Sequence, residues 1–218
     1  REEVAEFVRL ASALTINTGT FTQDWMEAAA LAASEAGKIG LPWVLDPVGC
    51  GATKFRMSNA LRLAGMKPSI IRGNASEIAA LAGASKAGSE GRGVDSTLAP
   101  EAVVEEARAL ARESGAVVVV TGKVDIVTDG EVIRKVANGH PYLTRVTAAG
   151  CALTALTGAA AAIQKDCMQA AVHALAILGV AGERAAREAK GPGSFRVALL
   201  DALYCLKPEE LDEEARIS

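Results

Sequence analysis

The chain has 218 residues, half of them hydrophobic, and a formal net charge of −3. That is enough apolar material for one sizeable core, and the charge balance gives no reason to expect nucleic acid or an anionic membrane as a partner. Cys50, Cys151, Cys167 and Cys205 show neither metal-ligand spacing nor a disulfide framework, so a reducing, cytoplasmic setting is expected. No apolar run is long enough to span a bilayer, and the start at Arg1 carries no signal-peptide pattern.

Residues 2–14 carry Val4, Phe7, Val8 and Leu10 at helical spacing. A short strand is expected over 13–17, ending at Asn17-Thr18-Gly19-Thr20, and Asp24 is the expected cap of a helix reaching Gly37. Pro42-Trp43-Val44-Leu45 is a continuous apolar strand that stops at Asp46-Pro47-Val48-Gly49-Cys50-Gly51-Ala52-Thr53, and a short helix follows over 59–64. Ser69-Ile70-Ile71 is a strand that stops at Arg72-Gly73-Asn74-Ala75-Ser76-Glu77, with a helix over 76–81. The polar, Gly- and Ser-rich stretch 83–97 reads as a loop.

An amphipathic helix is expected over 100–113, with Val103, Val104, Ala107 and Leu110 on one face. The strand 116–120 ends at Thr121-Gly122, and 125–136 reads as a hairpin around Asp129-Gly130. After a turn at Gly139-His140-Pro141, helices are expected over 151–164, 167–189 and 195–206. Alternating apolar strands and helices predict an α/β fold with a mostly parallel central sheet covered on both faces. Ligands in such folds bind beyond the carboxyl ends of the strands. That rule gives Asp46, Arg72 to Glu77 and Thr121-Gly122 one rim, facing the turn at Val146-Thr147-Ala148-Ala149-Gly150-Cys151.

Each of these groups has a chemical reading and a plain one. The turn before the helix at Cys151 offers free N–H groups and a positive dipole end, where anions bind and where thiols become more acidic. A buried, inert cysteine at a small-residue helix start would look the same. Asp46 can hold Mg²⁺ directly or through water, or can accept N–H bonds in its turn. Asn74 and Glu77 lie three residues apart, which suits a Mg²⁺–phosphate group or a helix cap using Asn74 or Ser76. Arg72 can pair with a phosphate or be a solvated charge. Thr121-Gly122 can bind a nucleotide or simply turn. His140 and His173 are isolated and read as structural or solvated, and Cys50 and Cys167 have no partner for catalysis. Neither nucleotide motif, Gly-x-x-x-x-Gly-Lys-Ser/Thr or Gly-x-Gly-x-x-Gly, occurs between a strand and a helix.

Taken together, the Asp46–Thr53, Arg72–Glu77, Gly93-Val-Asp-Ser96, Val120-Thr-Gly122, Thr128-Asp-Gly130 and Val146–Cys151 segments resemble hydroxyethylthiazole kinases, in order. So do Gly182-Glu-Arg-Ala185 and Gly191-Pro-Gly-Ser-Phe195. The resemblance implies a ribokinase-like fold and ATP-dependent phosphorylation of 4-methyl-5-(2-hydroxyethyl)thiazole in thiamine biosynthesis or salvage. It implies a homotrimer with sites between subunits. It also implies that Arg72, Thr121 and Asn74 bind ATP, that Asp46 and Glu77 hold Mg²⁺ and its waters, that Ala148 and Gly150 lie against the thiazole, and that Cys151 takes the catalytic position. Two features depart from the family pattern. Ala148 stands where the family has glycine, and an alanine resists positive φ. The family also has a strand and helix upstream of Arg1, so residues 1–218 are expected to be one kinase domain, incomplete at its N-terminal side. The alternatives are a ribokinase-like kinase with another small alcohol substrate, a catalytically silent nucleotide-binding homologue and, lower, a cysteine-nucleophile hydrolase.

Overall fold

The computed structural model describes residues 1–87 and 99–218. Its first half runs α1 (Val4–Leu10), β1 (Leu14–Asn17), α2 (Gln23–Ile39), β2 (Trp43–Asp46), α3 (Lys54–Ala64), β3 (Ile70–Asn74) and α4 (Ala75–Ala87). Its second half runs α5 (Val104–Ser114), β4 (Val117–Thr121), β5 (Asp125–Thr128), β6 (Ile133–Val136), α6 (Ala149–Ile163), α7 (Cys167–Glu188), α8 (Pro192–Cys205) and α9 (Pro208–Glu214). The six strands lie side by side in chain order, with β1 to β4 parallel and β5 and β6 antiparallel.

Strand side chains alternate between the two faces, and the core divides accordingly. Leu45, Ile71, Val118 and Val120 pack with residues of α1 to α5 on one face. Val44, Ile70, Val117 and Val119 pack with α6 to α8 on the other. Both sets are buried, so the strands read as unbroken apolar runs. Each fully buried aliphatic side chain contributes about 1.5–3 kcal/mol, and this two-sided burial fixes the register of the strand ends.

The structure corrects several expected boundaries. Thr22, not Asp24, caps α2, its hydroxyl accepting from the Trp25 N–H at 3.3 Å. Helix α3 begins at Lys54, five residues earlier than expected, because Thr53 caps it through the Arg56 N–H. Helix α4 runs on to Ala87, so 83–87 are helical rather than loop. The rest of the expected loop and the Gly93-Val-Asp-Ser96 segment lie outside the described residues. Pro100–Val103 forms a 3-10 turn before α5. Helix α6 starts two residues before Cys151, and α8 starts at Pro192, a residue suited to a first helical position. Helix α9 has no counterpart among the expected elements. The chain end follows it back to the sheet, where Ser218 and Lys135 exchange backbone hydrogen bonds at 2.7 and 3.0 Å along β6. Among the described residues, no helix is long and apolar enough to cross a membrane.

Candidate active site

The parallel register sets the rim. Asn17 pairs with Asp46, Leu45 pairs with Ile71 so that Asp46 comes beside Arg72, and Asn74 pairs with Thr121. Four strand ends therefore present an amide, a carboxylate, a guanidinium and a hydroxyl in a row.

Asp46 is fully buried. Its Oδ2 accepts from Asn17 Nδ2 and Thr154 Oγ1, each at 2.7 Å. Its Oδ1 is also buried and has no hydrogen-bond donor, although Arg72 NH1 lies 3.6 Å away. Burial pushes the Asp46 carboxyl above its ordinary range and outweighs the stabilising Arg72, Thr154 and Asn17 groups. A carboxylate kept dry, with one oxygen anchored and the other unpartnered, has spare capacity for a cation.

Arg72 is 9% exposed. It donates from NH2 to Thr121 Oγ1 at 3.1 Å, and Thr121 Oγ1 donates to the Gly73 carbonyl at 3.3 Å. The guanidinium lies close against the start of α6. A Cβ added at Gly150 would meet Arg72 NH1 at 3.0 Å and NH2 at 3.1 Å. Gly150 thus leaves room for a buried cation directly beside the N–H groups of the first helical turn.

Glu77 and Asn74 form the capping arrangement. Asn74 Oδ1 accepts from the Glu77 N–H, and Glu77 Oε2 accepts from the Asn74 N–H, both at 2.9 Å. Glu77 Oε1 also accepts from the Gly49 N–H at 2.8 Å, so this carboxylate ties α4 to the Asp46 turn. In that turn Gly49 and Gly51 have φ of 70° and 91°, values that glycine adopts without strain. Arg56 clamps the same turn, donating to the Thr18, Val48 and Gly19 carbonyls at 2.8–2.9 Å.

Cys151 is exposed in the first turn of α6. Its Sγ lies 3.3 Å from Asn17 Nδ2. The first intrahelical bond of α6 runs from the Ala152 N–H to the Ala148 carbonyl. Helix geometry therefore gives the N–H groups of Gly150 and Cys151 no acceptor within the helix. Ala148 precedes them at φ 70° and ψ 10°. The chain accepts the left-handed conformation despite the methyl group. Ala148→Gly is expected to raise stability by about 0.5–1 kcal/mol, as relief of strain exceeds the added freedom of the unfolded chain. Urea denaturation measures this.

A cleft of about 900 Å³ opens beside the row, lined among others by Arg72, Thr121, Asp125, His140, Gly150 and Leu178. It is large enough for a nucleotide. Burial pushes the Asp125 carboxyl up to about 7, against the pull of the Gly122 N–H and of Arg72. A carboxyl whose folded pKa is raised binds protons more tightly when folded, so stability falls as pH rises from its unfolded value toward about 7. Asp125→Asn should therefore leave the melting temperature little changed near pH 4 and raise it by a growing margin toward pH 8. Melting curves across that range check the sign.

His140 Nδ1 accepts from the Tyr142 N–H at 3.2 Å, and the ring packs edge-on to Tyr142, a structural role. Cys50 is buried and its thiol is pushed up to about 12 by burial and by Glu77. The sequence does not single out Asn17, Thr154, Arg56 or Asp125 as site residues. Of these, only Asn17 carries a signal, as a polar residue at a predicted strand end.

The family model described as the hydroxyethylthiazole kinase family matches residues 1–209. A curated hydroxyethylthiazole kinase of Cereibacter sphaeroides is 54% identical over 216 residues, 99% of this chain and 81% of that protein. Another, of Desulforudis audaxviator, is 48% identical over 217 residues, 99% of this chain and 78% of that protein. The solved hydroxyethylthiazole kinase of Pyrococcus horikoshii superposes with a TM-score of 0.91 at 39% identity, covering 100% of this chain and 81% of that one. A pyridoxal kinase of Staphylococcus aureus shares the fold alone, with a TM-score of 0.60 at 19% identity.

Proposed function

This chain belongs to the hydroxyethylthiazole kinase family, and on that premise we propose how its rim carries the reaction. The fold is ribokinase-like, and the activity is ATP-dependent phosphorylation of the hydroxyethyl group of 4-methyl-5-(2-hydroxyethyl)thiazole, a step of thiamine biosynthesis. The observation that carries the site reading is the Arg72 guanidinium, buried between Asp46, Thr121 and the Gly150 turn.

The nucleotide occupies the cleft, with Arg72, Thr121 and Asn74 on its phosphate side. The alcohol lies beyond Gly150, against Ala148 and Cys151. Its hydroxyl oxygen bonds to the γ-phosphorus while the bond from that phosphorus to the bridging oxygen breaks and leaves its electron pair on ADP. Cys151 Sγ takes up the hydroxyl proton. Arg72 and the N–H groups of Gly150 and Cys151 face the charge that spreads over the transferred group.

Mg²⁺ fits this donor set. Asp46 Oδ1 has the spare capacity to hold it or its water. Glu77, already braced by two N–H groups, is suited to order its waters. Among the described residues, no group of three or more His, Cys, Asp or Glu could hold a metal. Phosphate oxygens and water would complete the usual shell of this ion. When bound, Mg²⁺ neutralises the phosphate oxygens. The free thiols and the use of ATP suit a cytoplasmic enzyme, and a homotrimer would cover exposed apolar side chains such as Leu200 and Tyr204.

A substrate panel tests the assignment. With Mg-ATP, the thiazole alcohol should drive ADP release at least about tenfold faster than pyridoxal, a pyrimidine alcohol or a sugar, in line with discrimination by pocket contacts. Equal rates with pyridoxal would favour a kinase of broader substrate choice.

A further inference from the structure

The Asn17 side chain hydrogen-bonds to both Asp46 and Cys151. It stands at the end of β1, on the opposite side of Asp46 from Arg72. Its carboxamide can be oriented in only one way. Oδ1 accepts from the Gly19 N–H at 2.8 Å, and the flipped amide would set its NH₂ against that N–H and its oxygen against a carboxylate. Both Nδ2 hydrogens are thereby directed to the reacting side. One goes to Asp46 Oδ2 at 2.7 Å and the other to Cys151 Sγ at 3.3 Å.

We propose that Asn17 is a positioning residue that sets the Cys151 sulfur against the Asp46 carboxylate and so aligns the proton acceptor with the phosphoryl-binding side. This rests on the proposed function, in which Cys151 takes the proton and Asp46 serves the phosphate. Asn17 does two things at once. With Thr154 it anchors Oδ2 of Asp46, which leaves Oδ1 unpartnered on the Arg72 side. Through its second hydrogen it holds an exposed thiol that has no other hydrogen-bond donor among the described residues. Helix α6 alone would leave the Cys151 side chain free to choose among staggered rotamers.

Gly19 supplies an independent handle. A Cβ there would come within 2.9 Å of Asn17 Oδ1 and otherwise meet only Val48 at 3.8 Å or more. Gly19→Ala therefore displaces the amide and leaves Asp46 and Cys151 chemically intact.

The experiment is a double-mutant cycle on kcat with Mg-ATP and the thiazole alcohol, using Asn17→Ala, Cys151→Ala and the double variant. Iodoacetamide labelling at Cys151, followed by peptide mass spectrometry, accompanies it. Asn17→Ala should lower kcat about tenfold with KM for ATP within about twofold, a loss that arises in the transition state rather than in nucleotide binding. In the Cys151→Ala background that loss should shrink at least about threefold, the mark of coupled groups. Labelling of Cys151 should slow by about threefold or more as the sulfur loses its donor. Should Asn17→Ala not fold, the Gly19→Ala cycle decides instead, with an expected loss of about threefold that also shrinks without Cys151. Equal losses with and without Cys151, or unchanged labelling, overturn the proposal. If Cys151→Ala alone leaves kcat intact, the role of Cys151 itself fails, and that result is visible before the cycle is closed.

Discussion

Cys151→Ala is expected to lower kcat about a hundredfold, the low end of what a positioned acid–base group contributes, whereas Cys151→Asp keeps or raises it. The geometry makes this a clean comparison. Cys151 is exposed and lies outside the lining of the cleft, so neither change removes core packing or a nucleotide contact. KM for ATP should hold. The position is third in α6 after the cap at Ala148, where a carboxylate interacts favourably with the helix dipole, worth about 0.3–1 kcal/mol. Aspartate therefore suits the site on both counts, since it is helix-compatible and ionised at neutral pH. Steady-state kinetics on the three proteins decide the matter, and three equal rates would remove Cys151 from the mechanism.

Asp46→Asn should lower kcat about a thousandfold while leaving the protein at least as stable at neutral pH, because charge at the transferred phosphoryl dominates such catalysis. The stability half of this expectation follows from the direction of the Asp46 shift. Burial raises its folded pKa despite Arg72, so the ionised form is the less favoured one in the fold. That penalty is absent at low pH and develops as pH rises past the unfolded value. Asparagine copies the neutral form in shape and can still accept from Asn17 and Thr154. A destabilised variant with retained activity would reverse both halves. Melting temperature and turnover measured together on one preparation are sufficient. Strain or desolvation kept at a catalytic position is a common trade of stability for activity.

The parts legible in the sequence are those written in local patterns. The apolar runs at 43–45, 70–71 and 117–120 mark the strands, and the rule for parallel sheets marks the rim. Asp46, Arg72 and Thr121 indeed meet there, and Gly150 packs on Arg72. Helix starts are harder to read, because a cap is one hydrogen bond. Asp24 competes with Thr22, and only the fold shows that the Thr22 hydroxyl takes the Trp25 N–H. Asn74 and Glu77 satisfy both readings in the sequence, and the structure forms the cap. Thr154 has no local signature. It sits in a run of small helical residues and gains meaning only because α6 lays it on Asp46, 108 positions earlier in the chain. Asp125 is legible as a hairpin residue, but its half-buried place beside the cleft comes from how β5 is placed against β4.

Identifying the product tests phosphoryl transfer at this rim more directly than any variant. This chain would be incubated with Mg-ATP and 4-methyl-5-(2-hydroxyethyl)thiazole, and ADP and the thiazole phosphate quantified together by mass spectrometry. Equal amounts of the two are expected, with none of either when Mg²⁺ or the alcohol is withheld. ADP formed without the thiazole phosphate, or bound ATP with no turnover, would contradict a phosphoryl-transfer site built from Asp46, Arg72 and the Gly150 turn.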